Sequence, residues 1–209
     1  MMVRDISVPL STATPPWPGD TPFSCGWTWS MAGGASVNVS AITTSPHVGT
    51  HADAPLHVRD GWPSAAELPL DSFVGPAVVY TTARDAREIG RAAVAGLIAL
   101  RAERVLLRTG RSIADGAFPD RWPALSVEAA GALLDAGLRL LGVDCPSVDL
   151  RESTTLDTHR RLFEGGACIL ENLDLRGVAD GPCHLIAFPL KVPGLDAAPV
   201  RAVLLEHSA

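Results

Sequence analysis

Lysine is almost missing from this chain: among 17 basic residues only Lys191 is a lysine, and 23 acidic residues leave a formal net charge of −6. No basic face is available to neutralise phosphate backbones, which argues against a nucleic-acid partner. Long apolar runs are missing too. No stretch approaches the roughly 20 residues that a membrane-spanning helix needs, so no membrane partner is expected. The opening residues, Met1-Met2-Val3-Arg4-Asp5, lack the apolar core of a secretion signal, and the expected location is the cytoplasm. Cysteine is sparse. Cys25, Cys145, Cys168 and Cys183 are widely spaced and form no Cys-x-x-Cys pair, which favours reduced, mostly buried thiols over a disulfide framework or a thiolate zinc site. Any metal must then rest on histidine and carboxylate.

What is present is ordinary globular composition, with 47% hydrophobic and 19% charged residues in 209 positions. That length suits one domain, expected over residues 1–209. Short β-patterned segments punctuated by Pro and Gly fill the first eighty positions, at 4–10, 23–29, 36–43 and 75–81. Further on, residues 88–102 and 126–136 have amphipathic helical spacing, the second with Ser126 as N-cap. Apolar strands follow them at 104–109 and 138–143. A third unit has a helix at 153–163, Gly165-Gly166 as its stop, and a strand at 167–171; late strands are expected at 184–190 and 199–205. Early strands followed by helix-strand units imply a mixed α/β fold without internal repeats.

Three of the six histidines and an aspartate fall within residues 47–57: His47, His51, Asp53 and His57. Imidazole and carboxylate are preferred zinc ligands, and a catalytic zinc keeps a position open for water. The competing reading is a solvated loop, disfavoured because four such residues converge among Gly, Thr and Pro. Pro46, Gly49 and Pro55 also prevent a regular helix, placing these residues on a strand-loop edge. His159, on the third helix, and Glu171, at the end of the following strand, are further ligand candidates, since α/β sites are built at strand ends. Taken singly, His159 reads equally well as a surface helix residue and Glu171 as a loop cap. Together, His47, His51, Asp53, His159 and Glu171 are too many ligands for one tetrahedral zinc and suit a binuclear centre with bridging carboxylates. His57 follows the cluster after Ala54-Pro55 and is read as general acid/base; its other reading is one more ligand. A water activated by metal near neutral pH makes the site a hydrolase attacking a carbonyl, with no organic cofactor.

The run His47-x-Gly49-Thr50-His51-x-Asp53-x-Pro55-x-His57 resembles the motif of the cyclase-like metal hydrolases, a family that includes bacterial kynurenine formamidases and isatin hydrolases. The segments at 141–149, Leu156-Asp157-x-His159, Ile169-Leu170-Glu171-Asn172-Leu173, 15–20 and 198–202 are similar to the formamidases, so the resemblance spans roughly residues 4–205. It implies the family's swivelling β/β/α architecture, a mixed, barrel-like sheet with flanking helices. It also implies one zinc on His47, His51 and Asp53, a second on His159, Asp53 and Glu171 bridging both, His57 as proton donor or acceptor, and Trp17 lining the substrate pocket. Manganese is the other candidate metal. The implied reaction is hydrolysis of N-formyl-L-kynurenine to kynurenine and formate in tryptophan breakdown, by a homodimer whose amino-terminal region reaches toward a neighbour's pocket. A cyclic-amide hydrolase acting on isatin is the nearest rival, and a non-catalytic metal-binding protein on the same fold is another. Two departures stand out: Cys145 replaces a hydroxyl residue, and Leu150 follows Asp149 where proline is usual. His184 and His207 are expected to play no part in the site.

Overall fold

The computed structural model describes residues 2–83 and 85–206; His207 lies outside the described residues. In chain order the strands are β1 (Met2–Asp5), β2 (Ser24–Trp29), β3 (Val39–Thr43), β4 (His51–Asp53), β5 (Val74–Thr81), β6 (Glu88–Ile89), β7 (Arg104–Arg108), β8 (Ala124–Leu125), β9 (Leu140–Val143), β10 (Cys168–Glu171), β11 (Gly181–Ile186), β12 (Ala197–Pro199) and β13 (Val203–Glu206). The helices are α1 (Ala95–Leu100), α2 (Val127–Asp135) and α3 (Asp157–Glu164). Nine strands form one mixed sheet in the order β1-β13-β11-β5-β7-β9-β10-β4-β12. Its centre, β5-β7-β9-β10, is parallel, and the strands on either side are antiparallel.

Period-two alternation lets each central strand feed two cores. Register aligns Val105 with Leu141 and Leu141 with Ile169, and this face, with Leu107 and Val143, packs on Ala129, Ala130 and Leu133 of α2 and Leu162 of α3. The opposite face carries Leu106, Leu140 and Leu170 into a second cluster. There they meet Leu185 and Leu204 from one end of the strand order and Ala52 and Ala198 from the other. Strands so far apart in one sheet can share a cluster only if the sheet curls, and it does so as a half-barrel. Gly142 sits where the wall is tightest: an added Cβ would lie 2.6 Å from Leu106 Cδ2 and 2.8 Å from Leu173 Cδ1.

The second helix matches expectation, with the Ser126 hydroxyl accepting a hydrogen bond from the Ala129 amide at 3.1 Å. The helix expected at 88–102 is shorter, a 3-10 turn over Arg91–Val94 that runs into one short α-helix. Glu88 and Ile89 instead pair in parallel with Ala124 and Leu125, and only Ala95–Leu100 is α-helical. Tertiary pairing there overrides local periodicity. The third helix begins four residues later than its pattern suggested, after Leu156 adopts a left-handed φ of 50°. The strand expected at 199–205 is two strands, because the Val200 amide turns to the Thr50 carbonyl and Val203 begins pairing with β1 and β11. Among the described residues, no helix is long and apolar enough to cross a membrane.

Candidate metal centre

His51 and Asp53 are two residues apart on β4, so both side chains leave the face opposite Ala52, which is in the inner core. Antiparallel register places Glu171 of β10 directly across from His51, and the Glu171 carboxylate therefore shares that face. Helix α3 brings His159 over it, with Nε2 3.2 Å from Asp53 Oδ2 and 3.3 Å from Glu171 Oε1. Gly49, at a φ of 72°, turns the preceding chain so that His47 Nδ1 lies 3.1 Å from Asp53 Oδ1 and 3.2 Å from His51 Nε2. The five residues expected as ligands are thus brought together, from one strand, its approach loop, a neighbouring strand end and a helix.

Each of these histidines has one nitrogen tied back and the other turned inward. His51 Nδ1 lies 2.9 Å from the Gly49 carbonyl, His159 Nδ1 2.6 Å from Asp149 Oδ2, and His47 Nε2 2.9 Å from Asp196 Oδ2. That is how metal-ligating imidazoles are oriented. Asp53 Oδ1 is buried without a hydrogen-bond partner although His47 and His51 nitrogens lie 3.1 and 3.2 Å away. An orphaned anionic oxygen among inward-facing nitrogens fits a cation. Two triads, His47/His51/Asp53 and Asp53/His159/Glu171, each keep their donor atoms within 4.8 Å of one another and share Asp53. A third, His47/His57/Asp196, shares His47.

Without metal, protons take up the charge. Burial disfavours the cationic form of His47, but the hydrogen bond to Asp196 and the close negative charge of Asp53 outweigh it and raise its pKa to about 10. Burial of His51 is likewise overcome by the charge of Asp53, and its pKa rises to about 9. His159 moves well up despite burial, held by hydrogen bonds to Asp149, Asp53 and Glu171. Asp53 moves well down, its burial outweighed by His51 and the other imidazoles.

His47, His51, His159 and Glu171 floor a cavity of about 310 Å³ lined also by Trp17, Phe118, His57, Pro146, Ser153 and Asn172. Trp17 packs edge-on to Phe118 and Trp122, with ring centroids 5.4 and 5.8 Å away, and Trp122 Nε1 donates to the Asp149 carbonyl at 2.8 Å. His57 lies on a one-turn helix, Pro55–His57, its ring 4.5 Å from His47 and its Nδ1 3.2 Å from Asp196 Oδ2. A larger cavity, about 440 Å³, is lined by Arg87, Arg111, Arg121 and Arg151 and contains no histidine. The Cys145 thiol donates to the Ser147 carbonyl at 3.2 Å, in the turn whose Val148 amide donates to Glu171 Oε1. Leu150 lines the arginine cavity instead.

Sequence reasoning missed Asp149, Asp196, Phe118, Trp122 and Asn172. Asp149 and Asn172 stood inside recognised segments without a role. Asp196 is 139 residues from His57 and 149 from His47, and no spacing rule connects residues that only the β4–β12 ladder brings together.

The Cyclase family model matches residues 4–150. This chain belongs to that family. It is 43% identical to a kynurenine formamidase of Salinibacter ruber, over 99% of this chain and 98% of the relative. Among solved structures, a predicted metal-dependent hydrolase from Bacillus stearothermophilus superposes with a TM-score of 0.81 at 30% identity, covering 97% of each chain. Isatin hydrolase A from Labrenzia aggregata, bound to benzyl benzoate, gives 0.79 at 25% identity, covering 97% of this chain and 93% of that one. The family member described here is an enzyme of the hydrolase class.

Proposed function

We propose that the chain hydrolyses N-formyl-L-kynurenine to L-kynurenine and formate, a step of tryptophan breakdown, using two zinc ions. The observation that carries this reading is the pair of ligand triads that share the buried Asp53 and present His47, His51, His159 and Glu171 to an aromatic-walled cavity. One ion would rest on His47, His51 and Asp53, the other on His159, with Asp53 and Glu171 bridging. Manganese is the alternative metal. When bound, the ions supply Lewis acidity that polarises a carbonyl and makes water more acidic.

The chain's own groups do the rest. Trp17 and Phe118 offer aromatic edges and faces to an aryl substrate. His57, with Nδ1 held by Asp196, keeps Nε2 for the cavity and passes a proton to the departing aryl nitrogen. Asp149 fixes the His159 ring, and Trp122 anchors the aromatic wall to the Asp149 backbone. The greater identity to a formamidase than to an isatin hydrolase favours the linear amide. Purified enzyme given N-formyl-L-kynurenine and isatin separately tests this: faster turnover of the former is expected, and turnover of isatin alone would overturn it.

The working form is read as a cytoplasmic homodimer. The β2-β3 ribbon stands outside the main sheet, exposed along its whole length, with Trp27, Trp29 and Ile42 open to solvent. A lone two-stranded ribbon is only marginally stable, and an apolar one needs covering. Its base joins the cavity wall, since Thr21 and Ser45 are hydrogen-bonded beside Asp20 and His47. A second copy seated there would stand next to the cavity.

A further inference from the structure

Asp20 closes the turn that carries Trp17, its amide donating to the Trp17 carbonyl at 2.9 Å, and both residues line the cavity. Asp20 Oδ1 accepts from the Thr21 amide at 2.6 Å. The Thr21 carbonyl accepts from the Ser45 amide at 3.1 Å, and the Ser45 hydroxyl accepts from the His47 amide at 3.3 Å, so the carboxylate is tied to the loop bearing the first proposed ligand. Oδ2 is left over: among the described residues, no hydrogen bond or ion pair reaches it. The unpartnered polar side-chain atoms sealed from solvent there are Asp53 Oδ1 and Asn172 Oδ1 alone. Asp20 is half-buried and its Oδ2 is not one of them, so this oxygen is open to a ligand.

Charge in the cavity lining is otherwise committed. Its histidines are the proposed ligands and His57, its second carboxylate is Glu171, and no lysine or arginine is among the lining residues. Arg87, Arg111, Arg121 and Arg151 line the other cavity. N-formyl-L-kynurenine carries an α-ammonium and an α-carboxylate on a short tail attached to the ring beside the formamide. A cavity that reads the tail through its carboxylate needs a guanidinium or an ammonium. This one offers an anion, which suits the ammonium.

Resting on the formamidase reading above, we infer that Asp20 Oδ2 accepts a hydrogen bond from the substrate's α-ammonium, so that the site selects formyl anilides with a cationic tail over those whose tail is neutral or purely anionic. With the formyl group at the ligand triads and the ring against Trp17 and Phe118, the tail is the part that runs along the wall toward Asp20. No bond to the ammonium changes in the reaction. Asp20 therefore determines specificity and takes no part in the chemistry.

D20N tests this, since it keeps the size of the side chain and an acceptor for the Thr21 amide while removing the charge. The readout is kcat/KM relative to that on formanilide, which has the ring and the formamide but no tail, so any loss of metal common to the substrates cancels. On this scale N-formyl-L-kynurenine should fall about five- to tenfold in D20N, between a fully exposed ion pair and a buried one. Its analogue with hydrogen in place of the α-ammonium should not fall. Added salt should erode the wild-type preference for N-formyl-L-kynurenine and leave that of D20N flat. An unchanged value for N-formyl-L-kynurenine in D20N, an equal fall for the analogue, or a wild-type preference that salt does not move overturns the assignment. Wild-type enzyme that leaves formanilide and N-formyl-L-kynurenine intact would instead overturn the formamidase reading, and this inference with it.

Discussion

Replacing Asp149 by alanine should injure the site without touching any proposed ligand. Its carboxylate accepts from the Thr158 amide at 3.0 Å, the His159 amide at 3.1 Å and His159 Nδ1 at 2.6 Å, so it both caps α3 and orients the imidazole. Asp149 and His159 are both buried, at 6% and 1% exposure, so truncation leaves the buried Nδ1 of His159 unpaired as well as two free amides. Hydrogen bonds to a charged group contribute roughly 1.5–3 kcal/mol each, and breaking a buried pair costs about 3–5 kcal/mol in total because the bonds share one group. We expect a loss of about 3–5 kcal/mol in urea unfolding of the metal-free protein, and a 10- to 100-fold weaker hold on one zinc, the usual penalty for losing an outer-sphere partner. D149N retains the shape and one acceptor and should lose less of both. If D149A unfolds within about 1 kcal/mol of wild type and binds zinc equally well, the orienting role is refuted.

Other consequences are equally direct. H57A should retain both metals and lose turnover by about a hundredfold or more, with a smaller deficit on formyl anilides bearing electron-withdrawing ring groups; a lost metal, or an equal deficit across the series, makes His57 a ligand. The metal-free protein should lose stability as pH rises. His47 and His51 are raised from 6.5 to about 10 and about 9, so their contribution is full below pH 6.5 and fades as pH climbs through 9 to 10. Melting curves of chelated protein between pH 6 and 10 should fall, and the gain from added zinc should grow over the same range, because zinc competes with those protons; a flat chelated curve would contradict this. Replacing Trp29 and Ile42 together by serine should convert a dimer to a monomer in light scattering at low micromolar concentration, and an unchanged mass would place the dimer contact elsewhere.

Much of the candidate site was legible because side chains on one strand and the loops that flank it must cluster in sequence. His47, His51, Asp53 and His57 did so, and His159 and Glu171 lay on a helix and strand whose periodicity was plain. The residues that orient them left no such trace. Asp196 meets His47 and His57 only because β12 pairs with β4, and Phe118 and Trp122 sit in a loop whose packing on Trp17 has no periodic signal. In the fold, α2 declared itself through spacing and its Ser126 cap, whereas the pattern at 88–102 was overridden by two residues of parallel pairing with β8. The curl of the sheet was equally hidden, since it follows from contacts between strands at opposite ends of the order.

The central claim is a two-metal formamidase built on a shared Asp53. Titrating chelated enzyme with zinc while following kynurenine release from N-formyl-L-kynurenine tests it most directly. Activity is expected to climb and level off at two equivalents per chain; full activity at one equivalent, or none at any, would overturn the two-metal formamidase.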